Sequence, residues 1–368
     1  MIPTQMMMTT MTLNKNKVLL GLSGGVDSTT AALFLKKKGL DVTGFYFEVI
    51  DGKSEGAEEA KKVADELGIP LITYDASKQF KDIVIDNFLN SYKIGKTPNP
   101  CVICNPNIKF KLLLEFADKI GAYYIATGHY ARIYRDAETA KYFVQRGSNE
   151  KKDQSYMLYR LSQDVLSRLI FPLGMSKDKE DVRDVAYENH LSNAGKADSQ
   201  EICFLENNCN YIDYINEHGY SGPEGNFIDK NGNILGTHKG IHCYTIGQRK
   251  GLGIALGKPA FVTNIDSVNN DISLGDNEDL MKYEIYSYDN YFVESGLCTM
   301  PTRLKNNFSC FAKIRYASQL AKANVIQMKD NRLKIQFEQP QRAPSPGQSI
   351  VFYNDDIVIG GGYIDNFY

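Results

Sequence analysis

An apolar run at residues 18–22 breaks into Ser23-Gly24-Gly25-Val26-Asp27-Ser28, and a helical pattern then runs to Lys38 with Gly39 placed to stop it. This strand–turn–helix junction constrains the fold more than any other stretch. Two glycines let backbone N–H groups close around an anion, the helix N-terminus adds its dipole, and a serine on each side supplies hydroxyl donors for a pyrophosphate. No Gly-Lys-Ser/Thr follows, so this is not a Walker loop. Residues 41–47 read as a second strand, 56–67 as a helix stopped by Gly68, and 70–74 as a third strand. The rhythm continues through a helix at 110–120, a strand at 123–127 and a helix at 178–188. Such alternation predicts an α/β domain built on a parallel sheet with helices on both faces. Ligands in these sheets sit at the carboxyl ends of the strands, where 23–28 and 127–130 both fall.

After about residue 205 the pattern changes. A short helix at 209–218 leads into Gly- and Asn-rich turns at 221–225 and 230–236. From about residue 283, β-alternation dominates at 308–316, 333–337, 349–353 and 357–364, with Pro344, Pro346 and Gly347 as punctuation, which predicts a small C-terminal β-barrel. The organisation read from this is an N-terminal extension (1–16), an α/β domain (17–205), a small central linking domain (206–281) and the barrel (282–368). A chain of 368 residues suits two or three such domains. No apolar run approaches the roughly 18 residues of a membrane span. The Met-rich start lacks the apolar core and cleavage site of a signal peptide. The expected compartment is therefore the cytoplasm, where the seven cysteines stay reduced unless chemistry uses them.

The net charge of −2 argues for no partner. Its distribution is uneven: between residues 301 and 342, Arg303, Lys305, Lys313, Arg315, Lys322, Lys329, Arg332, Lys334 and Arg342 face only Asp330 and Glu338, a local excess of +7. That run fits a nucleic-acid surface or a solvated face, and charge alone leaves both open.

The cysteines carry the next signal. Asn99-Pro100-Cys101-Val102-Ile103-Cys104 holds a CxxC with no second CxxC, a poor zinc site by spacing. It is either a pair of buried structural thiols or chemistry. Cys203 lies far along the chain in Asp198-Ser199-Gln200-Glu201-Ile202-Cys203-Phe204, among polar and acidic residues. Cys209, Cys243, Cys298 and Cys310 lie in no such setting and read as structural.

The hexapeptide 23–28 resembles the signature of the PP-loop ATPases, which cleave ATP between the α and β phosphates and adenylate a carbonyl-type oxygen. The segment 97–110 is similar to the cysteine loop of the tRNA-specific 2-thiouridylase family. So are Thr127-Gly128-His129-Tyr130-Ala131-Arg132, Lys152-Asp153-Gln154-Ser155-Tyr156, residues 244–253, Pro346-Gly347-Gln348 and Gly360-Gly361-Gly362. The match runs in order over roughly residues 17 to 366.

The resemblance implies an adenine nucleotide α-hydrolase-like fold for the first domain. It implies that Gly21, Leu22, Ser23, Gly24, Gly25, Val26, Asp27 and Ser28 hold ATP with magnesium, and that Phe47 and Gly128 line the nucleotide pocket. Cys104 would be the nucleophile and Cys203 the persulfide carrier, with a Cys104–Cys203 disulfide left if Cys104 frees the sulfur. Asn99, Pro100 and Cys101 would face the target base. His129, Lys152, Asp153 and Gln154 would touch tRNA, and Arg315, Tyr316 and Gln348 would reach it from the barrel. The implied product is 2-thiouridine at the wobble position, with AMP and pyrophosphate released. The implied sulfur source is a cysteine desulfurase or a relay protein.

One departure is Cys101, where many members carry Asp. A carboxylate there could move a proton near the uracil, whereas a thiol has a reference pKa near 8.5. Two arrangements fit three thiols. Either Cys203 carries a persulfide that Cys104 attacks or helps to shape, or Cys101, Cys104 and Cys203 hold an iron–sulfur cluster with one open iron. The stretch 48–58 is also shorter than usual for the family. Two other classes compete: a PP-loop synthetase that aminates a small molecule, and a non-catalytic RNA-binding protein that keeps ATP as a structural ligand. The first needs an ammonia source, and no glutaminase segment is visible. ATP turnover to AMP that depends on tRNA separates the second.

Overall fold

The computed structural model describes residues 12–51, 55–196, 202–205, 210–255, 257–296 and 307–365. Residues 198–201, Cys209, Cys298, Arg303, Lys305 and most of the N-terminal extension lie outside the described residues. Strand β1 begins at Asn14, so the end of that extension is already strand.

The first domain contains β1 (Asn14–Gly21), β2 (Asp41–Glu48), β3 (Leu71–Asp75), β4 (Ala122–Ala126), β5 (Ala131–Arg135), β6 (Tyr142–Arg146) and β7 (Leu169–Ile170). Its helices are α1 (Val26–Lys37), α2 (Glu55–Leu67), α3 (Ser77–Phe80), α4 (Asp86–Lys93), α5 (Pro100–Cys104), α6 (Phe110–Lys119), α7 (Gln163–Leu166) and α8 (Lys179–Glu188). The sheet order is β3-β2-β1-β4-β7, with β1 parallel to both neighbours. Val18, Leu19 and Leu20 on β1 have no exposed surface, as a central parallel strand covered on both faces requires. Leu19, Phe45 and Ile125 face a core shared with Phe80, Phe88 and Leu113. Val18, Leu20 and Val42 face α1, α2 and α8 through Leu35, Val63, Leu67 and Val182. Burying side chains of that size contributes roughly 1.5–3 kcal/mol each. The chain winds outward from β1 to β3, then crosses back to β4. The strand order therefore reverses between β1 and β4, and a crevice opens at their carboxyl ends.

One helical stretch is absent from the sequence reading and another runs longer than it suggests. α3 passes through a π-turn at Lys81–Ile85 into α4, and α5 passes through a π-turn at Asn105–Lys109 into α6. The expected helix at 110–120 thus begins at Pro100. Pro106 has no N–H and reads as a breaker; the wide turn absorbs it, as such bulges often do near functional sites.

The hairpin β5–β6, unread in the sequence, leaves the parallel sheet to join the C-terminal one. A short helix α9 (Tyr211–Glu217) precedes the central domain, whose β8 (Gly225–Ile228), β9 (Ile234–His238), β10 (Phe261–Asp266) and β11 (Asp271–Gly275) form a sheet in the order β10-β11-β8-β9. Phe227, Val262 and Ile272 build its own small core. The barrel comprises β12 (Met281–Phe292), β13 (Asn307–Lys313), β14 (Ala321–Gln327), β15 (Leu333–Arg342), β16 (Ser349–Asn354) and β17 (Ile357–Ile364). It closes through β12–β17 pairing, and β6 adds to the outside of β17 at Ile357↔Gln145. Arg132 Nη2 and Gln145 Nε2 each donate to Asp356 Oδ2 at 2.8 Å, pinning the hairpin to the barrel. Among the described residues no helix is long and apolar enough to cross a membrane.

Candidate active site

The loop after β1 is shaped by contacts that exclude side chains. Gly24 has φ +77°, and a Cβ there would lie 2.7 Å from Glu59 Cβ and 3.0 Å from the Ala60 nitrogen. Gly25 caps α1 in an extended conformation with no side chain to satisfy the first-turn N–H groups, which leaves them for an anion. Ser28 Oγ donates to the Gly25 carbonyl at 3.0 Å and accepts from the Ser23 nitrogen at 3.2 Å. Ser23 is exposed, its hydroxyl 3.3 Å from that of Ser28. Leu22 and Val26 are buried and anchor the two ends of the loop. From the other side, Asn193 Nδ2 donates to the Gly24 carbonyl at 2.7 Å and to Thr29 Oγ1 at 2.8 Å.

The loop after β4 forms the facing wall. A Cβ on Gly128 would lie 2.8 Å from the Asp27 carbonyl carbon and the Ser28 nitrogen, so the two loops touch through backbone. Tyr130, buried, donates its hydroxyl to Asp27 Oδ1 at 2.9 Å. Gln154 Oε1 accepts from the Tyr130 nitrogen at 3.0 Å, and its own N–H donates to the Tyr130 carbonyl at 2.9 Å. Asp153 is 2% exposed and turned inward; it accepts from the Gly147 and Ser155 nitrogens and from Ser155 Oγ. Lys152 is half-buried, its N–H donating to the Asn149 carbonyl. His129 Nδ1 lies 2.6 Å from Thr127 Oγ1, its ring between Phe110 and Phe171. Burial, and then the Lys109 ammonium, hold this imidazole well below its usual range, so it is neutral.

Pro100 opens the cysteine helix at its first turn, where a missing N–H costs nothing. Cys101 is exposed, Cys104 is 7% exposed, and both are free thiols, as is Cys203. Burial pushes the Cys104 thiol up; Lys109 pulls it down, and Cys101 adds to the rise. The Cys203 thiol is also raised, first by desolvation and then by the thiols of Cys104 and Cys101; its exposure tempers the first cause. The next residue, Phe204, is 2% exposed and packs against Phe80, Phe88 and Tyr214 with ring centroids 5.2–5.8 Å apart. That anchor ties Cys203 to α3, α4 and α9, within electrostatic reach of the Cys104 and Cys101 thiols. Lys109 acts on Cys104, Cys203 and His129 alike, so the thiols and the loop after β4 share one site. Phe47, half-buried, lies at the end of β2 near Phe45. Among the described residues no three His, Cys, Asp or Glu side chains are arranged to hold a metal.

The turn 346–348 of the barrel reaches the chain just ahead of the cysteine helix. Gln348 Nε2 donates to the Thr97 and Pro98 carbonyls at 3.0 and 3.1 Å. Arg315 Nη1 donates to the Arg342 and Ala343 carbonyls, and Tyr316 is 38% exposed with its ring 6.5 Å from that of Tyr156. Among the described residues, most of the basic run is occupied within the protein. Arg332 pairs with Asp330 and Asp365, Lys334 pairs with Glu284, and Lys313 is 8% exposed with its ammonium depressed by desolvation.

Three family models match the chain in order: a tRNA methyl transferase HUP domain over residues 16–207, a tRNA methyl transferase PRC-barrel domain over 212–276 and an aminomethyltransferase beta-barrel domain over 295–364. The tRNA-specific 2-thiouridylase MnmA of Clostridioides difficile strain 630 is 44% identical over 367 residues, covering 96% of this chain and 99% of its own. Its counterpart in Clostridium acetobutylicum is 44% identical over 360 residues, with 95% and 99% covered. The chain belongs to the tRNA-specific 2-thiouridylase family. The domain labels speak of methyl transfer, but the near-full-length match decides the family. Among solved structures, the NMN synthetase from Francisella tularensis is 17% identical, covering 50% of this chain and 67% of its own at a TM-score of 0.33, too loose an overlay to bear on the site.

Within this thiouridylase family member, three residues beside the site escaped the sequence reading. Tyr130 stood inside a quoted motif, yet its bond to Asp27 spans 103 positions. Lys109 was one lysine among many. Asn193 carries no motif, and only its position against the phosphate loop reveals it.

Proposed function

We propose that this protein is a tRNA sulfurtransferase that uses ATP to convert a wobble uridine to 2-thiouridine, and that it works in the cytoplasm. The observation that carries the reading is the joining of a glycine-built anion cradle to two neighbouring thiols, Cys104 and Cys203, through the loop holding Gly128 and His129. The cradle residues Ser23, Gly24, Gly25 and Ser28 suit a pyrophosphate, with magnesium neutralising its charge, and Phe47 with Gly128 would border the nucleotide. Asp27, in the first turn of α1, is held by the Tyr130 hydroxyl.

A uridine carbonyl is a poor electrophile because its oxygen leaves badly. Attack of the uridine O2 on the α-phosphorus of ATP expels pyrophosphate and turns that oxygen into part of an AMP leaving group. Cys203, loaded by a desulfurase or relay protein, offers the outer sulfur of its persulfide. Attack of the Cys104 thiolate on the Cys203 sulfur forms a Cys104–Cys203 disulfide and frees that outer sulfur with its electron pair. It bonds to C2 as AMP departs. Two equivalents of an external thiol, or one dithiol, then reduce the disulfide and leave as their own disulfide. Asn99, Pro100 and Cys101 would border the base, and Arg315 and Tyr316 the RNA. A cluster at Cys101, Cys104 and Cys203 does not fit this arrangement, because the three sulfurs do not meet as metal ligands, and no step is routed through one.

The test is nucleoside analysis of tRNA from cells lacking the gene, paired with purified variants. Cys104→Ser and Cys203→Ser should abolish 2-thiouridine formation, while Cys101→Ser keeps most of it. Unchanged 2-thiouridine in the deletion would reject the reading. Stoichiometric iron tracking activity across all three variants would reject the persulfide route.

A further inference from the structure

The barrel turn Pro346-Gly347-Gln348 is seated on the chain just ahead of the cysteine helix. Thr97 donates its N–H to the Pro346 carbonyl at 2.8 Å. Gln348 Nε2 has two hydrogens, and two acceptors face it, the carbonyls of Thr97 at 3.0 Å and Pro98 at 3.1 Å. Its donor capacity is filled by protein. Gly347 has φ +88°, and a Cβ there would lie 3.0 Å from Lys96 Cβ and 3.1 Å from the Thr97 carbonyl oxygen, so the approach is as close as backbone allows. A second tether lies one residue earlier, where Lys96 Nζ donates to the Tyr288 hydroxyl at 3.2 Å on β12.

The turn itself is stiff. Gly347 N–H donates to the Ile364 carbonyl, Ile364 N–H to the Gln348 carbonyl and Gln348 N–H to the Ser345 carbonyl, at 2.8–3.1 Å. Pro98 and Pro100 are buried, which leaves Asn99 as the only residue between the braced carbonyls and the helix. The direction in which the Thr97 and Pro98 carbonyls point therefore sets where the first turn of α5 begins, and with it the placement of Cys101 and Cys104.

We propose that Gln348 is a positioning residue for the cysteine helix, so that the barrel serves the sulfur-transfer step as well as the binding of substrate; this rests on the thiolation reading above. Gln348→Glu is the sharpest variant, since it keeps size and shape but turns two donors into acceptors facing two carbonyls. Gln348→Ala removes the side chain. With the full-length protein at saturating ATP and tRNA, both should lower kcat by about ten- to hundredfold. The tRNA dissociation constant, measured by filter binding, should move by less than about threefold, because both side-chain hydrogens of Gln348 are spent on the Thr97 and Pro98 carbonyls. Without tRNA, iodoacetamide should alkylate Cys104 several-fold faster in both variants, and melting curves will show whether each is folded. Weaker tRNA binding with unchanged kcat would place Gln348 on the RNA and overturn the proposal, as would a Gln348→Glu protein with wild-type kcat and wild-type alkylation. The alkylation readout needs no sulfur transfer. A folded wild-type protein that makes no 2-thiouridine would therefore reject the functional reading while the brace is still decided by Cys104 labelling.

Discussion

Gly128→Ala should disable nucleotide use out of proportion to its effect on stability. The added Cβ would sit 2.8 Å from the Asp27 carbonyl carbon and Ser28 nitrogen and 2.9 Å from the Asp27 oxygen. All three are backbone atoms at the start of α1, so no rotamer relieves them. Reaching ordinary contact at 3.4 Å requires a shift of about 0.6 Å, and the first turn of α1 is what must move. Overpacking of this kind costs about 1–3 kcal/mol. For a domain of this size that lowers Tm by roughly 2–4 °C per kcal/mol. The same shift displaces the N–H groups that would face the pyrophosphate. Misplacement on the ångström scale costs on the order of a hundredfold, so kcat/KM for ATP should fall by about ten- to hundredfold. Gly39→Ala is the matched control: it has φ +78° but nothing within 4 Å, and it stops α1 at the far end from the cradle. It should cost about 1–2 kcal/mol of left-handed strain and leave ATP turnover intact. Pyrophosphate release dependent on tRNA, titrated with ATP and set beside melting curves, separates the two. A Gly128→Ala protein with wild-type kcat and KM for ATP would refute the contact between the two loops as a determinant of nucleotide binding.

Three further outcomes follow from the same geometry. Tyr130→Phe removes a hydrogen bond to the Asp27 carboxylate worth about 1.5–3 kcal/mol, so kcat/KM for ATP should drop at least tenfold; an unchanged value in steady-state kinetics would mean Asp27 needs no such anchor. Asn193→Asp places a carboxylate against the Gly24 carbonyl beneath the anion cradle, and ATP binding measured by calorimetry should weaken more than in Asn193→Ala, with equal losses arguing against an electrostatic cause. Lys109→Met removes the one cation that pulls the Cys104 thiol down against its burial; the alkaline rise of Cys104 alkylation should shift to higher pH, lowering the rate at pH 8 and restoring it above, and an unmoved profile would exclude Lys109 as its tuner.

Much of this was legible from local physics. The β1–loop–α1 junction is written in an apolar run, two glycines and a stop at Gly39, all within reach of one another, and the structure places α1 within a residue of the reading. The same holds for the bounds of β16 and β17, which turn residues mark, although both strands are buried nearly throughout instead of alternating. What failed was non-local. The hairpin β5–β6 is two five-residue strands whose outer partner lies more than two hundred positions away at Ile357. The basic run looked like an open surface because a sequence counts charges without pairing them, and Glu284 and Asp365 lie outside that run. The surroundings of Asp153, whose tRNA contact was implied by the resemblance alone, were equally hidden: its carboxylate accepts from the Gly147 and Ser155 nitrogens.

The electrostatics also bear on the order of events. Two neighbouring sulfurs, one of them loaded, would be expected to react with each other before any substrate arrives. Burial raises the Cys104 thiol and Cys101 raises it further, so at neutral pH it is mostly protonated and a poor nucleophile. Lys109 is the counterweight, and its ammonium also depresses His129, which leaves that ring neutral and unable to stabilise a thiolate by charge. The resting site thus keeps Cys104 quiet with a single adjustable cation beside it. Any added positive charge or lost water near Cys104 changes its thiolate fraction, by tenfold for each 1.4 kcal/mol. Substrate docking over the exposed Cys101 is the event that would alter both, so the wait for substrate can be set by the thiol's own environment without a moving gate.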